Sequence, residues 1–361
     1  MADSPLGESP SGDGPSGESP LDEALSGEPP SGEGPRRRPT GRDVARLAGV
    51  SQATVSLVFS GSAGHRVSAA TRERIRTAAR ELGYRPQAAG RQLRLGRSGM
   101  VLLAVPNLLG PFFGRVLTGV HGEAARHGLS VVVSSGWDAA ELAEAAAAGR
   151  FDGLLVCSPD DKQVGGLPAD TPAVFLDADP AAHPGRPTVE LDLAAGMRAA
   201  VDHLAGLGHR RIGYLRSVHS AHTFRVRQAA FAAAAAGLEV RELAVGLNEG
   251  SREAERAARE LLAGPGRPGA VVCDDDVVAS GLYRAAAELG LRIPADLSVV
   301  GMDNIPVAEL LSPPLTTVDL PGEELGRAGL AQLTALLDGE LPSPVPPLAT
   351  TLVVRRSTAA V

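Results

Sequence analysis

Aromatic side chains are scarce in this chain of 361 residues: seven Phe, three Tyr and one Trp make up 3% of it. Its core must therefore be built from Ala, Leu and Val. A hydrophobic share of 43% beside 21% charged residues fits a globular chain of two or three domains. Cysteine is almost missing too, which excludes a disulfide scaffold and a cysteine-rich zinc module. Cys157 and Cys273 stand alone inside the apolar runs LLVCS and AVVCD, as buried structural thiols do. No run approaches the roughly 18 apolar residues of a membrane span. The N-terminus is acidic and Pro-rich, unlike a secretory leader, so a cytoplasmic location is expected.

Catalytic motifs are lacking as well. The eight His form no HExxH or Cys/His grouping, and no Walker loop occurs. Gly264 to Gly269 fits GxGxxG but precedes an apolar strand run, the wrong order for a dinucleotide loop. Asp274-Asp275-Asp276 reads as a loop end with helix-capping acids in preference to a metal cluster. No enzyme activity, cofactor or metal is expected.

What is present is an uneven distribution of charge. Residues 1–35 carry eight acids and no Lys or Arg, whereas residues 36–98 carry fourteen Arg against Asp43, Glu73 and Glu81, a net +11. The remainder carries −10, and the whole chain −7. A strongly basic block between acidic flanks is the footprint of a polyanion-binding module, with a merely solvated basic surface as the alternative. The first segment repeats an SGEGP-like unit that has too little apolar surface to fold, and it reads as an acidic tail able to compete for the basic block.

Inside the basic block, Thr40 followed by Asp43 resembles a capping box, and Val44, Ala45, Leu47 and Ala48 give the first helix an apolar face. Gly49 permits a sharp turn, Val50 packs inward, and Ser51 is placed to cap a second helix, QATVSLVFS. Helix, Gly turn, helix is a helix-turn-helix, whose second helix enters the major groove. Ser51, Gln52, Ala53 and Thr54 lie at its start, where short polar side chains reach base edges and phosphates. A third helix follows Ser68 and stops at Gly83, with Ile75, Ala78, Ala79 and Leu82 at helical spacing.

The segments DVARLAGVSQATVSLVFSG, VSAATRERIRTAARELGYRP and RQLR resemble the headpiece and hinge of the lactose-repressor (LacI/GalR) family of bacterial transcription regulators. The resemblance implies a small all-α helix-turn-helix headpiece joined to an α/β periplasmic-binding-protein-like sensor made of two doubly wound parallel-sheet lobes. Its implied boundaries are a tail at 1–36, headpiece at 37–86, hinge at 87–98, and effector-binding and dimerisation domain at 99–361. It places DNA contacts at Thr40, Arg42, Ser51, Gln52, Ala53, Thr54, Ser56 and Leu57. In the hinge it adds Ala88, Arg91 and Leu93, the last as an apolar wedge between base pairs in the minor groove. An ordinary linker leucine is the alternative for Leu93. Gly90 departs from the usual Ala and makes the free hinge less helical. Leu57 stands where some relatives read a base with Arg.

From Met100 the pattern changes to short apolar strands alternating with helices, the signature of parallel sheets. Ligands of such sheets bind beyond the strands' carboxyl ends. The resemblance implies an effector site made by Phe112, Phe113, Asp177, Arg227 and Asp276, with Arg225 and Asp192 as lesser matches. A guanidinium facing a carboxylate suits a hydroxylated ligand. Core packing is the alternative for Phe112 and Phe113, and an interlobe salt bridge for Arg227 with Asp276. Trp137 either lines this cleft or covers the first lobe. The chain is thus expected to be a dimeric regulator, most simply a repressor, in the nucleoid. Its expected partners are a pseudo-palindromic double-stranded DNA operator and a small, sugar-like effector. The competing reading is a small-molecule-binding α/β protein with a degenerate DNA module. The chain ends soon after TLVVRRS with no heptads, so no tetramerising tail is expected.

Overall fold

The computed structural model describes residues 39–59, 66–84, 97–160, 167–246 and 251–361. It divides into two compact units, Met1–Gln87 and Ala88–Val361.

In the smaller unit, helices α1 (Gly41–Ala48), α2 (Gln52–Phe59) and α3 (Ala69–Glu81) enclose one small core. Asp43 starts α1: its carboxylate accepts from the Thr40 N–H at 2.9 Å and the Thr40 hydroxyl at 2.7 Å. Gly49, at φ 63°, adopts the left-handed conformation that turns the chain into α2. The Ser51 Oγ then accepts the Thr54 N–H at 3.1 Å, and Ser68 does the same for Thr71 at 3.2 Å. Val44, Ala45, Ala48, Val55, Val58, Ile75, Ala78 and Ala79 are buried together. Leu47, expected on the apolar face, is instead 51% exposed. The inward stripe of so short a helix is filled by positions 44, 45 and 48, and Leu47 lies beyond its edge.

The larger unit holds two sheets. In the first, β2 (Ser130–Ser135), β1 (Met100–Val105), β3 (Gly153–Cys157), β4 (Ala173–Leu176) and β5 (Thr188–Val189) lie side by side, all parallel. The second runs β11 (Thr351–Val353), β10 (Thr316–Asp319), β9 (Ser298–Asp303), β8 (Ala270–Cys273), β6 (Arg211–Ser217), β7 (Glu239–Val245). Its strands are parallel except β11, which pairs antiparallel with β10. Every residue of β3, β4 and β8 is buried, which explains their uninterrupted apolar sequences: helices cover both faces. Those helices are α4 (Pro111–His127), α5 (Ala139–Ala147), α6 (Leu193–Gly206), α7 (His222–Ala234), α8 (Ser251–Leu262), α9 (Asp276–Glu288), the short α10 (Val307–Leu310) and α11 (Gly322–Leu337). Cys157 and Cys273 are free and buried. No helix among the described residues is long and apolar enough to cross a membrane.

The sequence places residues 322–337 in the second series of strands and helices, but α11 packs on α4 and β4 of the first lobe. The chain therefore passes between lobes three times: after β5, after β10 and before β11. Two of the crossings are tied together, the Asp192 N–H donating to the Leu348 carbonyl and the Leu348 N–H to the Glu190 carbonyl, each at 2.8 Å.

Glycine lets α4 and α11 meet backbone to backbone. A Cβ on Gly119 would stand 2.0 Å from the Glu323 carbonyl oxygen, and one on Gly326 2.1 Å from that of Val116. Gly326→Ala should destabilise the protein by about 1–3 kcal/mol through this clash. Gly114→Ala, also in α4 but with nothing within 4 Å of its Cβ, should be neutral or stabilising. Urea unfolding of the two full-length variants checks this, and equal midpoints would contradict the close approach.

Candidate functional site

A cavity of about 400 Å³ opens between the lobes of the larger unit, at the carboxyl ends of both sheets. Each strand that reaches it delivers side chains just past its last residue. Asn107, Phe112 and Phe113 follow β1, Trp137 follows β2, Ser158 and Asp160 follow β3, and Asp177 follows β4. From the second lobe, Thr223, Phe224 and Arg227 follow β6, Asp275 follows β8 and Asp303 ends β9.

Backbone strain gathers in the same place. The non-glycine residues with positive φ among those described are Ser158 (44°), Asp177 (50°), Asp303 (100°) and Asn304 (52°). The first three line the cavity. Such conformations persist where the surrounding structure holds side chains in an otherwise unfavourable position, as binding sites do.

Arg227 is the electrostatic centre. It is 5% exposed; one Nη donates to the Asp274 carbonyl, and the other lies 3.6 Å from the Asp303 carboxylate. Its guanidinium also sits over the Phe224 ring, 5.3 Å from the centroid. Burial opposes the charge, but Asp303, Asp274 and Asp177 outweigh it and hold Arg227 above the ordinary arginine range. For Asp303 the balance is reversed: burial pushes its carboxyl well up, against the pull of Arg227. Behind it, Asp274 accepts the Tyr214 hydroxyl and the Ser217 N–H, fixing the end of β8 against β6.

Asp275 and Asp276 have different roles. The Asp275 carboxylate caps α9 by accepting the Val278 N–H at 2.6 Å and reaches the cavity wall, with burial raising its pKa to about 6. Asp276, expected to face Arg227, is fully buried and does not line the cavity. One of its oxygens accepts the Ile305 N–H at 2.9 Å and the other the Thr317 hydroxyl at 2.6 Å, so it joins β8 to β9 and β10. As the first residue of α9 it points back into the sheet, and the residue before it takes the outward place. The carboxylate that Arg227 meets is Asp303. That signal was present in LSVVGMD, where an acid ends an apolar strand run.

Phe112 and Phe113 line the cavity and meet edge to face at 5.7 Å, with Phe112 also part of the core. Trp137 both covers the first lobe and lines the cavity. Asp177 accepts the Ser158 hydroxyl at 2.9 Å. Arg225 turns outward to Asp179, and Asp192 caps α6 by accepting the Ala195 N–H at 3.0 Å. Three buried polar atoms on the cavity wall have no partner: Trp137 Nε1, Thr223 Oγ1 and Arg227 Nε.

In the smaller unit, Ser51, Gln52 and Ala53 are exposed at the start of α2, with Thr54, Ser56 and Leu57 half-buried beyond them. Arg42, from α1, donates through Nε to the Gln52 side-chain oxygen at 3.3 Å, so the two helices present these polar groups together. Thr40 is half-buried at the start of α1. Ala88, Arg91 and Leu93 lie outside the described residues.

Comparison with known proteins gives this pair of sites its setting. The profile for bacterial regulatory proteins of the lacI family matches residues 40–87, and that for the periplasmic binding protein-like domain matches residues 201–358. The HTH-type transcriptional repressor CytR of Escherichia coli (strain K12) is 32% identical over 311 residues, covering 83% of this chain and 90% of CytR. The chain belongs to the LacI family. The regulator CelR of Thermobifida fusca is 34% identical over 346 residues, 89% of this chain and 99% of CelR. Among solved structures, the lac repressor dimer bound to operator and an anti-inducer superposes with a TM-score of 0.80 at 29% identity, covering 90% of this chain and all of the other. A CelR–cellobiose complex gives 0.64 at 31% identity, covering 89% and 100%. These relatives are transcriptional regulators, and this LacI-family chain carries both halves of such a protein: a DNA-reading headpiece and a two-lobed α/β sensor.

Asp276 gives this regulator a measurable pH dependence. Burial raises its pKa to about 7, partly offset by the bonds from Thr317 and Ile305, whereas an unfolded Asp titrates near 4. Between those values the folded state holds a proton that the unfolded chain has lost, so stability falls as pH rises from about 4 to about 7. Asp276→Asn keeps both hydrogen bonds possible and removes the titration. Relative to wild type it should gain more than about 1 kcal/mol across that window, read from urea unfolding at several pH values. Wild-type stability that rises with pH across that window relative to the variant would contradict the assignment.

Proposed function

We propose that the chain represses transcription as a dimer on a pseudo-palindromic operator and changes its grip when a small molecule fills the interlobe cavity. A single helix-turn-helix reads a half-site, so two copies match a palindrome. Ser51, Gln52, Ala53, Thr54, Ser56 and Leu57 are the groups we assign to the major groove, with Thr40 and Arg42 on the phosphates. Ala88, Arg91 and Leu93 are assigned to the minor groove. Phe112, Phe113, Asp177 and Arg227 are assigned to the ligand, and to them we add Trp137, Asp275 and Asp303. The observation that carries the ligand half is the coincidence of strained backbone and unpartnered buried polar atoms on one cavity wall. The cellobiose held by CelR supports a hydroxylated ligand. We place such a DNA-binding regulator in the cytoplasm, where the nucleoid is.

The test is selection of a duplex from random sequence, followed by gel shift with the full-length protein. A palindromic preference is expected, with affinity falling steeply as salt rises. Gln52→Ala should lose about 1–3 kcal/mol of discrimination against the wrong base while binding non-specific DNA as before. No preference for any duplex would favour the rival reading, a ligand-binding α/β protein with an inactive DNA module.

A further inference from the structure

The segment before the headpiece has an order that its net charge conceals. Residues 1–35 divide into consecutive pentapeptides: MADSP, LGESP, SGDGP, SGESP, LDEAL, SGEPP and SGEGP. The second position breaks from Gly at Ala2 and Asp22, and the fifth breaks from Pro at Leu25. The third position is an acid every time, from Asp3 to Glu33 at intervals of five. Asp22 adds one more, and no Lys or Arg falls between them to neutralise any. Single negative charges at even intervals are also how a nucleic acid strand presents itself to a protein. The lacI-family profile begins only at residue 40, so membership of the family does not account for this repeat.

Residues 1–38 lie outside the described residues; the surface they lead into does not. The chain enters the headpiece at Thr40, in the cap of α1. Two residues later, Arg42 donates to the Gln52 side chain at the start of α2 at 3.3 Å. The repeat is thus tethered beside the polar groups assigned to the major groove, with only Arg36, Arg37, Arg38 and Pro39 between. Bases outnumber acids over the headpiece. Arg42, Arg46, Arg74, Arg76 and Arg80 are exposed on α1 and α3. Asp43 is spent on the Thr40 cap and on Arg46 at 3.5 Å, and Glu73 serves both Arg76 at 3.9 Å and Arg80 at 2.9 Å. A polyanion tethered a few residues from such a surface is present at an effective concentration of about millimolar, and it gains from counterion release as DNA does.

On the reading that the headpiece binds DNA, we propose that the pentapeptide repeat occupies the DNA-reading face and must leave it before DNA can bind. The repeat is then a built-in competitor, and only a duplex that displaces it is held. Mutual exclusion lowers the affinity for operator and for random sequence by one common factor, because the same repeat-bound form precedes both. It also makes binding less dependent on salt, since DNA replaces carboxylates that have already displaced counterions.

The test compares the full-length protein with a full-length variant in which every acid of residues 1–35 becomes its amide (Asp→Asn, Glu→Gln), and with a variant lacking residues 2–35. Affinity for the selected operator and for a random-sequence duplex would be measured from about 50 mM to about 300 mM salt. Both variants should bind both duplexes about 10-fold more tightly at the low end, with a steeper loss as salt rises, so that the gap closes. Displacement itself is read from a dye. Cys157 and Cys273 are both buried, so a cysteine introduced by Ser16→Cys takes the label alone. The dye's anisotropy should fall as either duplex saturates the otherwise wild-type protein, and it should start low and stay low in the amide variant. The proposal is overturned if neither variant binds more tightly at low salt, if the gap persists at the high end, or if DNA leaves the anisotropy unchanged. Equal binding by all three forms would remove the competitor and leave the DNA-binding reading standing; failure of every form on every duplex would overturn both.

Discussion

The guanidinium of Arg227 is the constraint around which the sensor is arranged. A buried arginine cannot shed its proton, so the structure must surround it with acceptors or not fold as it does. The acceptors come from the ends of β8 and β9, and the Arg227 charge in turn opposes the burial that pushes the Asp274 and Asp303 carboxyls up. One carboxylate and a peptide carbonyl meet its two Nη groups but leave its Nε unpaired. That unpaired atom, with the Trp137 and Thr223 groups nearby, makes the cavity wall polar in a directed way, and in the proposed function a ligand completes the network.

The same network joins the two lobes. Arg115 of α4, in the first lobe, donates to the Asp303 carbonyl at 2.9 Å and to the Asp319 carboxylate at 3.1 Å. Asn304 and Arg355 extend the chain of bonds along the second sheet. Phe112 and Phe113 stand at the start of α4, whose middle touches α11 through Gly119 and Gly326. A ligand that differs in affinity between two lobe arrangements would bias this interlobe set of contacts, which is the thermodynamic content of allostery in such a regulator.

Much of this was legible in the sequence, and the exceptions have physical causes. The three helices of the headpiece followed from Thr40–Asp43, Gly49, Ser51 and Ser68, because caps and turn glycines are local chemistry. Strands were visible as apolar runs because both sheet faces are covered. Two things were hidden. The docking of α11 on the first lobe depends on where a chain crosses between lobes, which no local pattern records. Within Asp274-Asp275-Asp276, adjacent acids point in different directions at a strand-to-helix junction. Only the geometry assigns one to the strand end, one to the cavity and one to the sheet interior. Arg227 was readable as a buried partner for an acid, and LSVVGMD marks Asp303 as an acid at a strand end, but only the geometry pairs the two.

The central claim is that the occupant of the cavity and the DNA on the headpiece are thermodynamically coupled, and this is reciprocal: operator binding must alter the sensor as the ligand does. Trp137 emission, followed while a selected operator duplex is added to ligand-free protein, tests it most directly. The account predicts a change in emission whose midpoint coincides with operator binding and which a scrambled duplex does not produce at the same concentration. Saturation of the operator with Trp137 emission unmoved would contradict it.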